Sequence, residues 1–303
     1  MTVTNTHLGS KGTRLSIHHM PHIKKTLKGI RGRAAPVTRR LSRPAVATES
    51  AFENMYHCCA QKTASQWFKA VFSDRVFYKY TGLEVFTHRQ LVDQKVRMDG
   101  PVPYAQFRDP IPPRTVGSPL YLGYLAYLTL PKPGNFRAFF VTRDPRDITI
   151  SWYFSARYSH DPAGMVAKFR RDLEDLDLSQ GLMYGIDALE DTGLYSVLRS
   201  WSRVHDDDKV RIFRYEDLAR DNEAFLRGLL SYLAVSLPEA EFAAMYERNK
   251  FATLAGGRVQ GQEVSTDHYR KGLAGDWTNH FDRSVEIHFR NTTGDLTEQL
   301  GYE

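Results

Sequence analysis

The 303-residue chain has two cysteines, Cys58 and Cys59, and they are neighbours. Adjacent cysteines rarely bridge one another, so no disulfide framework is implied and a reducing, cytoplasmic setting is the simple expectation. No apolar run reaches the 18 or more residues of a membrane span. The longest, Pro119 to Leu130, is tyrosine-rich and ends at Pro131, and it reads as a buried helix or strand. Acidic residues are missing from residues 1–48, which hold ten of the 41 Lys/Arg. The remainder therefore carries 31 basic against 35 acidic residues, and the formal charge of +6 belongs to the tail. A nucleic-acid surface would put its basic patch on the folded domain, so that partner is not expected. The phosphate loop G-x-x-x-x-G-K-[ST] is absent. No obvious acidic cluster suited to magnesium occurs either, and no metal is expected.

What is present suits one large α/β domain or at most two, with 42% hydrophobic and 12% aromatic residues. Residues 1–48 read as a basic, flexible tail and residues 49–303 as the folded domain. Within the tail, Ile23, Leu27 and Ile30 lie at helical spacing among Lys24, Lys25, Lys28 and Arg31. Pro21, Gly29 and Gly32 keep any such helix short. Residues 11–45 are thus expected to meet an anionic surface, although the same composition overlaps with organelle transit peptides. Beyond residue 50 strands alternate with helices. Asn54 to Cys59 reads as a buried strand and Ser65 to Phe72 as a helix. Phe136–Thr142 is a strand running into a helix over Asp144–Tyr158, with Asp144 as its cap and Pro145 at its first position. Val210–Arg214 is a third strand, leading into Tyr215-Glu216-Asp217-Leu218 and a helix that ends near Leu233. This alternation predicts a three-layer α/β sandwich around a central parallel sheet, of P-loop-NTPase-like kind.

Three segments carry chemistry. In Ala60-Gln61-Lys62-Thr63-Ala64-Ser65-Gln66-Trp67 a strand ends and a helix opens. The free N–H groups and positive helix end make such a turn an anion site, to which Lys62 adds a full charge. The same letters also suit an ordinary helix start with a chance lysine. In Thr142-Arg143-Asp144-Pro145-Arg146-Asp147 an arginine ends an apolar strand, where open α/β sheets bind ligands, and Ser151 follows two turns on. Arg143 needs a carboxylate or phosphate nearby; Arg146 and Asp147 could be a solvated charge pair. In Arg270-Lys271-Gly272-Leu273-Ala274-Gly275-Asp276-Trp277 two cations adjoin glycines whose bare backbone lets N–H groups approach a ligand.

Together these segments resemble the sulfotransferase superfamily that uses 3′-phosphoadenosine 5′-phosphosulfate (PAPS), its cytosolic-type branch in particular. Tyr215-Glu216-Asp217-Leu218 matches a fourth recurring element, and the resemblance covers about residues 50–282. It implies a PAPS-dependent sulfotransferase that needs no metal, releases 3′,5′-ADP (PAP) and moves a sulfuryl group to a hydroxyl, or second to an amine, of a small-molecule, lipid or saccharide acceptor. It implies that Lys62 contacts the 5′-phosphate and stabilises its departure. Thr63, Ala64, Ser65 and Gln66 would wrap the 5′ end. Trp67 would stack on adenine, with Tyr215 and Phe251 completing the base pocket. Arg143, Ser151, Arg270, Lys271 and the Gly272 amide would hold the 3′-phosphate.

The chain departs from that pattern in two places. Ala64 stands where the first loop usually has glycine. The Thr-His-x-Pro stretch that usually brings a histidine base has Val116-Gly117-Ser118-Pro119 as its counterpart, and no histidine lies between His88 and Arg143. Glu84, His88 and Asp109 are the candidate bases instead. The acceptor pocket is expected from residues 78–128 and 156–190, where Tyr80, Phe86, Tyr104, Phe107, Tyr121, Tyr124 and Tyr127 suggest a ring-bearing acceptor or else are core. Two other readings stay open: a non-catalytic or degenerate nucleotide binder tethered to acidic surfaces, and a P-loop-like kinase.

Overall fold

Five strands of the described residues share one parallel sheet, and all of them point their C-terminal ends at the same edge. The computed structural model describes residues 44–93 and 96–302, so the expected amphipathic segment at residues 23–31 lies outside the described residues. The strands are β1 (Asn54–Cys59), β2 (Glu84–Phe86), β3 (Met98–Asp99), β4 (Gln106–Phe107), β5 (Thr115–Leu120), β6 (Phe136–Thr142) and β7 (Val210–Arg214). β3 and β4 form a short antiparallel pair. The other five run in the order β2-β5-β1-β6-β7, every neighbour parallel.

Alternate residues of the central strands feed two cores, as the period of two in a strand requires. Met55, Cys59, Phe139 and Val141 face a cluster with Trp67, Phe68 and Leu226. Tyr56, Cys58, Ala138 and Phe140 face another with Trp152, Leu182 and Trp201. Helices cover both faces, giving the expected three layers. The helix Ser65–Phe72 follows β1 and buries Trp67, Phe68, Val71 and Phe72 along one face. Each such side chain contributes about 1.5–3 kcal/mol on burial. Both cysteines are buried free thiols, and burial pushes the Cys58 thiol up to about 12.

The expected strands at 54–59, 136–142 and 210–214 are observed over those residues. The helix after Arg143 is shorter than expected, spanning Pro145–Phe154, because the chain widens into one π-helical turn at Ser155–Ser159. The helix after Tyr215 is two pieces, Tyr215–Arg220 and Asn222–Tyr232. Asp221 interrupts it by capping the second piece through the Ala224 amide at 2.9 Å. The apolar run 119–130 is the end of β5 followed by the helix Tyr124–Thr129, whose Leu125 and Leu128 are exposed. No described helix is long and apolar enough to cross a membrane.

Candidate functional site

The turn after β1 is wound against its own side chains. Lys62 and Ala64 both have positive φ, 69° and 63°, a conformation that costs a residue with a Cβ about 1–2 kcal/mol. The turn is held from two sides. The Thr63 hydroxyl donates to the Ala60 carbonyl at 2.8 Å, and Arg143 Nη1 donates to the Lys62 carbonyl at 2.9 Å. Backbone turned this way gathers N–H groups around an anion-sized concavity. Burial first, then the charges of Arg143 and Arg270, push the Lys62 ammonium down to about 7. No carboxylate among the described residues offsets these effects at Lys62.

β6 delivers Arg143 to the same place. Its side chain is 6% exposed, lies over the Tyr215 ring at 4.0 Å, and leaves Nε buried without a partner. Asp144 caps the helix that follows by accepting from the Arg146 amide at 2.9 Å. The Asp144 amide in turn donates to buried Glu216 at 3.0 Å, which explains the acid after Tyr215. Arg146 and Asp147 are not a solvated pair. Arg146 bonds Asp144 at 2.7 Å and covers Trp277 at 3.8 Å. Asp147 is buried and accepts from the Gly275 and Trp277 amides at 2.7 and 2.9 Å. It therefore fastens the C-terminal loop to the helix that carries Ser151.

That loop brings Arg270, Lys271 and Gly272 opposite Arg143. Burial works against charge on Asp276, yet hydrogen bonds from His280, Lys271, Arg270 and Asn279 hold its carboxyl far below the usual range. Arg270 reaches Asp276 at 2.5 Å and Glu263 at 2.7 Å. Glu263, Asp276 and His280 offer ligand atoms within 4.8 Å of one another, but protein cations already occupy the acids. Gly272 has φ 74°, and a Cβ there would meet the Phe251 ring at 2.5 Å, so only glycine lets this loop close over Phe251. Arg258, which sequence reasoning missed, staples the loop by donating to the carbonyls of Tyr269 and Arg270 at 2.7 and 3.0 Å.

The loops enclose a cavity of about 430 Å³. Of the residues expected to bind the nucleotide, Lys62, Ala64, Ser65, Gln66, Trp67, Arg143, Ser151, Tyr215, Phe251, Arg270, Lys271 and Gly272 line it. The Thr63 side chain does not, being fully buried behind the turn. Trp67 is 4% exposed and anchored through Nε1 to the Asn249 carbonyl at 2.8 Å. A second cavity of about 310 Å³ adjoins the first. Gln61, Lys62, Tyr121, His160 and Val166 line both.

The three expected bases do not reach either cavity. Glu84 is exposed at the first residue of β2, paired in register with Thr115 at the strand-start side of the sheet. Asp109 is tied to Arg97 by two bonds of 2.9 and 2.7 Å. His88 packs behind Tyr121 at 5.0 Å between ring centres, and burial lowers its pKa. Gly117 stands at the usual histidine position, and a Cβ there would meet Leu120 Cδ1 at 2.7 Å, so any side chain needs that leucine to move. Among the aromatics expected in the acceptor pocket, Tyr121 lines a cavity, whereas Phe86, Phe107 and Tyr127 are core. His160 and His268 were missed, because neither lies in a recognisable motif. Their rings are 5.7 Å apart, and Lys62 depresses the pKa of both after burial, His268 to about 4.

Comparison with known proteins agrees with this geometry. Sulfotransferase 6B1 of Danio rerio is 25% identical over 177 residues, covering 57% of this chain and 55% of the relative. Sulfotransferase 2B1 of Mus musculus is 22% identical over 157 residues, covering 48% and 43%. The chain thus spans about half the length of the curated relatives it matches. The solved structure of mouse sulfotransferase SULT7A1 complexed with PAP shares the fold, with TM-score 0.50 at 14% identity, over 83% of this chain and 86% of that one. The family model described as the sulfotransferase domain matches residues 125–301, more than half of the sequence and including Arg143, Tyr215 and the Arg270 loop. The chain belongs to the sulfotransferase domain family.

Proposed function

We propose that the chain transfers a sulfuryl group from PAPS to the hydroxyl of a small, neutral, largely apolar acceptor. The observation that carries this reading is one cavity on which Lys62, Arg143, Arg270 and Lys271 converge beside Trp67, Tyr215 and Phe251. Two phosphate groups joined by an adenosine need that combination of cations and flat apolar walls. The orphaned Arg143 Nε and the uncompensated Lys62 supply donors for such an anion. Arg143, Ser151, Arg270, Lys271 and the Gly272 amide would take the 3′-phosphate. The turn from Lys62 to Gln66 would take the 5′ end, and Trp67, Tyr215 and Phe251 the base.

Bound PAPS supplies the activated sulfuryl group and a phosphate leaving group. The chain supplies position and charge. Lys62 Nζ would meet the negative charge that builds on the departing oxygen, and preorganised charge of this kind lowers a barrier most effectively in a walled site. The second cavity takes the acceptor, with Lys62 at its junction with the first. Its walls include Trp152, Phe169, Leu189, Leu194 and Val197 and no carboxylate. A cationic amine has no counter-charge there, and a sugar would leave most of its hydroxyls unpaired.

Labelled PAPS offered with 1-naphthol, decan-1-ol, an alkylamine and glucosamine tests the reading. Transfer to the first two and not to glucosamine is expected. Binding of 3′,5′-ADP without transfer to any acceptor would instead mark a nucleotide binder. Preference for the amine or the sugar would overturn the acceptor assignment.

A further inference from the structure

We infer that His160 is the base that removes the acceptor's hydroxyl proton, supplied by the segment after the Ser151 helix instead of by β5. The inference rests on the sulfuryl transfer proposed above and deepens it. Five residues line both cavities, and the reacting oxygen must sit at their junction. Gln61 and Val166 cannot accept a proton. Lys62 has its own task at the leaving oxygen, and burial raises the Tyr121 hydroxyl's pKa further above neutrality. His160 remains, a side chain whose ordinary pKa lies near the working pH, as an effective base requires. β5 offers no competing histidine, since Gly117, at the usual position, has no side chain.

The imidazole is held in place and left accessible. The His160 amide donates to the Ser155 carbonyl at 3.0 Å, and its carbonyl accepts from Arg170 Nη2 at 2.5 Å. Nδ1 is hydrogen-bonded to the Ser155 hydroxyl. With the proton on Nδ1 and donated to Ser155 Oγ, Nε2 keeps its lone pair. The π-helical turn Ser155–Ser159 is the element that brings Ser155 and His160 together, five residues apart. The charged and titratable groups around the ring are Lys62 from the first turn, Arg170 from the helix Met165–Asp172, and His268 from the C-terminal loop. Tyr121 from the end of β5 shares the junction. Burial, then Lys62 and Arg170, lower the His160 pKa, which keeps it neutral and ready to accept at neutral pH.

In the step, the acceptor O–H bond breaks and its proton passes to His160 Nε2. The acceptor oxygen forms the new O–S bond as the S–O bond to the 5′-phosphate breaks, and that electron pair leaves on the phosphate beside Lys62. The products are the sulfate ester, 3′,5′-ADP and protonated His160, which returns its proton to solvent.

The test pairs kinetics with a binding and a spectroscopic readout. His160→Asn should lower single-turnover transfer to 1-naphthol by ~10²–10⁴ and abolish the acid limb of its pH profile. Its affinity for 3′,5′-ADP should stay within about threefold of wild type, since none of the residues assigned to the two phosphates or the base is changed. Ser155→Ala, which removes only the orienting partner, should lower the rate less and shift the acid limb. In wild type, the His160 ring signal followed by NMR should titrate below the ordinary imidazole value and move upward when 3′,5′-ADP is added. A His160→Asn protein with wild-type rate and an unchanged acid limb overturns the inference while leaving sulfuryl transfer standing. A ring signal indifferent to 3′,5′-ADP overturns it even where no acceptor turns over. Failure of wild type to bind 3′,5′-ADP is the separate result that would remove the proposed function.

Discussion

At the scale of single residues, Lys62 has the most to explain. It sits at positive φ, its carbonyl is held by Arg143, and burial and neighbouring cations push its pKa down to about 7. An anion beside it must raise that pKa again. A group whose bound-state pKa exceeds its free-state value adds affinity fully below the free value and loses it as pH rises past the bound one. Binding of 3′,5′-ADP should therefore take up protons as pH rises above about 7, and weaken as pH rises further through the raised value. Calorimetry in buffers of different ionisation enthalpy reads the uptake directly. The Lys62→Met variant should show none, and equal uptake in both proteins would remove Lys62 from the site. Lys62→Ala should keep its fold by circular dichroism and lose at least ~10² in turnover, the scale of a preorganised electrostatic donor. Near-normal turnover in that variant would contradict its assigned role. Ala64 shows what one residue conceals. As a letter it is a small departure from glycine, whereas as a conformation it is a left-handed helix cap with φ 63°.

At the scale of elements, the site is four strand ends and one loop, and the loop is the part that must be moored. Asp147 does this by accepting two loop amides while almost wholly buried. Asp147→Ala leaves both amides unpaired. It should cost about 3 kcal/mol, or roughly 6–12 °C in melting temperature for a domain of this size. The same variant should lose affinity for 3′,5′-ADP by tenfold or more and affinity for 5′-AMP much less, because the loop is proposed to serve the 3′ side. Equal losses for the two nucleotides would mean that Asp147 supports the fold alone. The regular elements were legible in the sequence because their signals are local. The strand–loop–helix pattern from residue 50 marked β1, and an Asp-Pro start marked the helix after Arg143. What was hidden depends on distant partners. Asp147 looked like half of a surface pair because the amides it accepts lie 128 and 130 residues away. The π-helical turn that presents His160 leaves no periodic mark. Distance along the chain points to Glu84 and His88, whereas the sheet sets Glu84 at the start of β2, away from the site, and His88 packs behind Tyr121.

At the scale of the whole molecule, a parallel sheet gathers at one edge what the sequence scatters over more than 200 residues. β1 ends in the Lys62 turn, β5 in Tyr121, β6 in Arg143 and β7 in Tyr215. The Arg270 loop closes over them. Two adjoining cavities of about 430 and 310 Å³ follow from that arrangement, one cationic and aromatic, the other apolar. The central claim is that the cationic cavity recognises a phosphate at the 3′ position of a nucleotide and not merely negative charge. The isomers 3′,5′-ADP and 2′,5′-ADP carry the same two phosphate monoesters and the same charge and differ only in where one of them stands, so titrating both calorimetrically isolates that claim. The account predicts that 3′,5′-ADP binds at least ~100-fold more tightly, about 2.8 kcal/mol in binding free energy. Equal affinity for the two isomers, or tighter binding of 2′,5′-ADP, would contradict it.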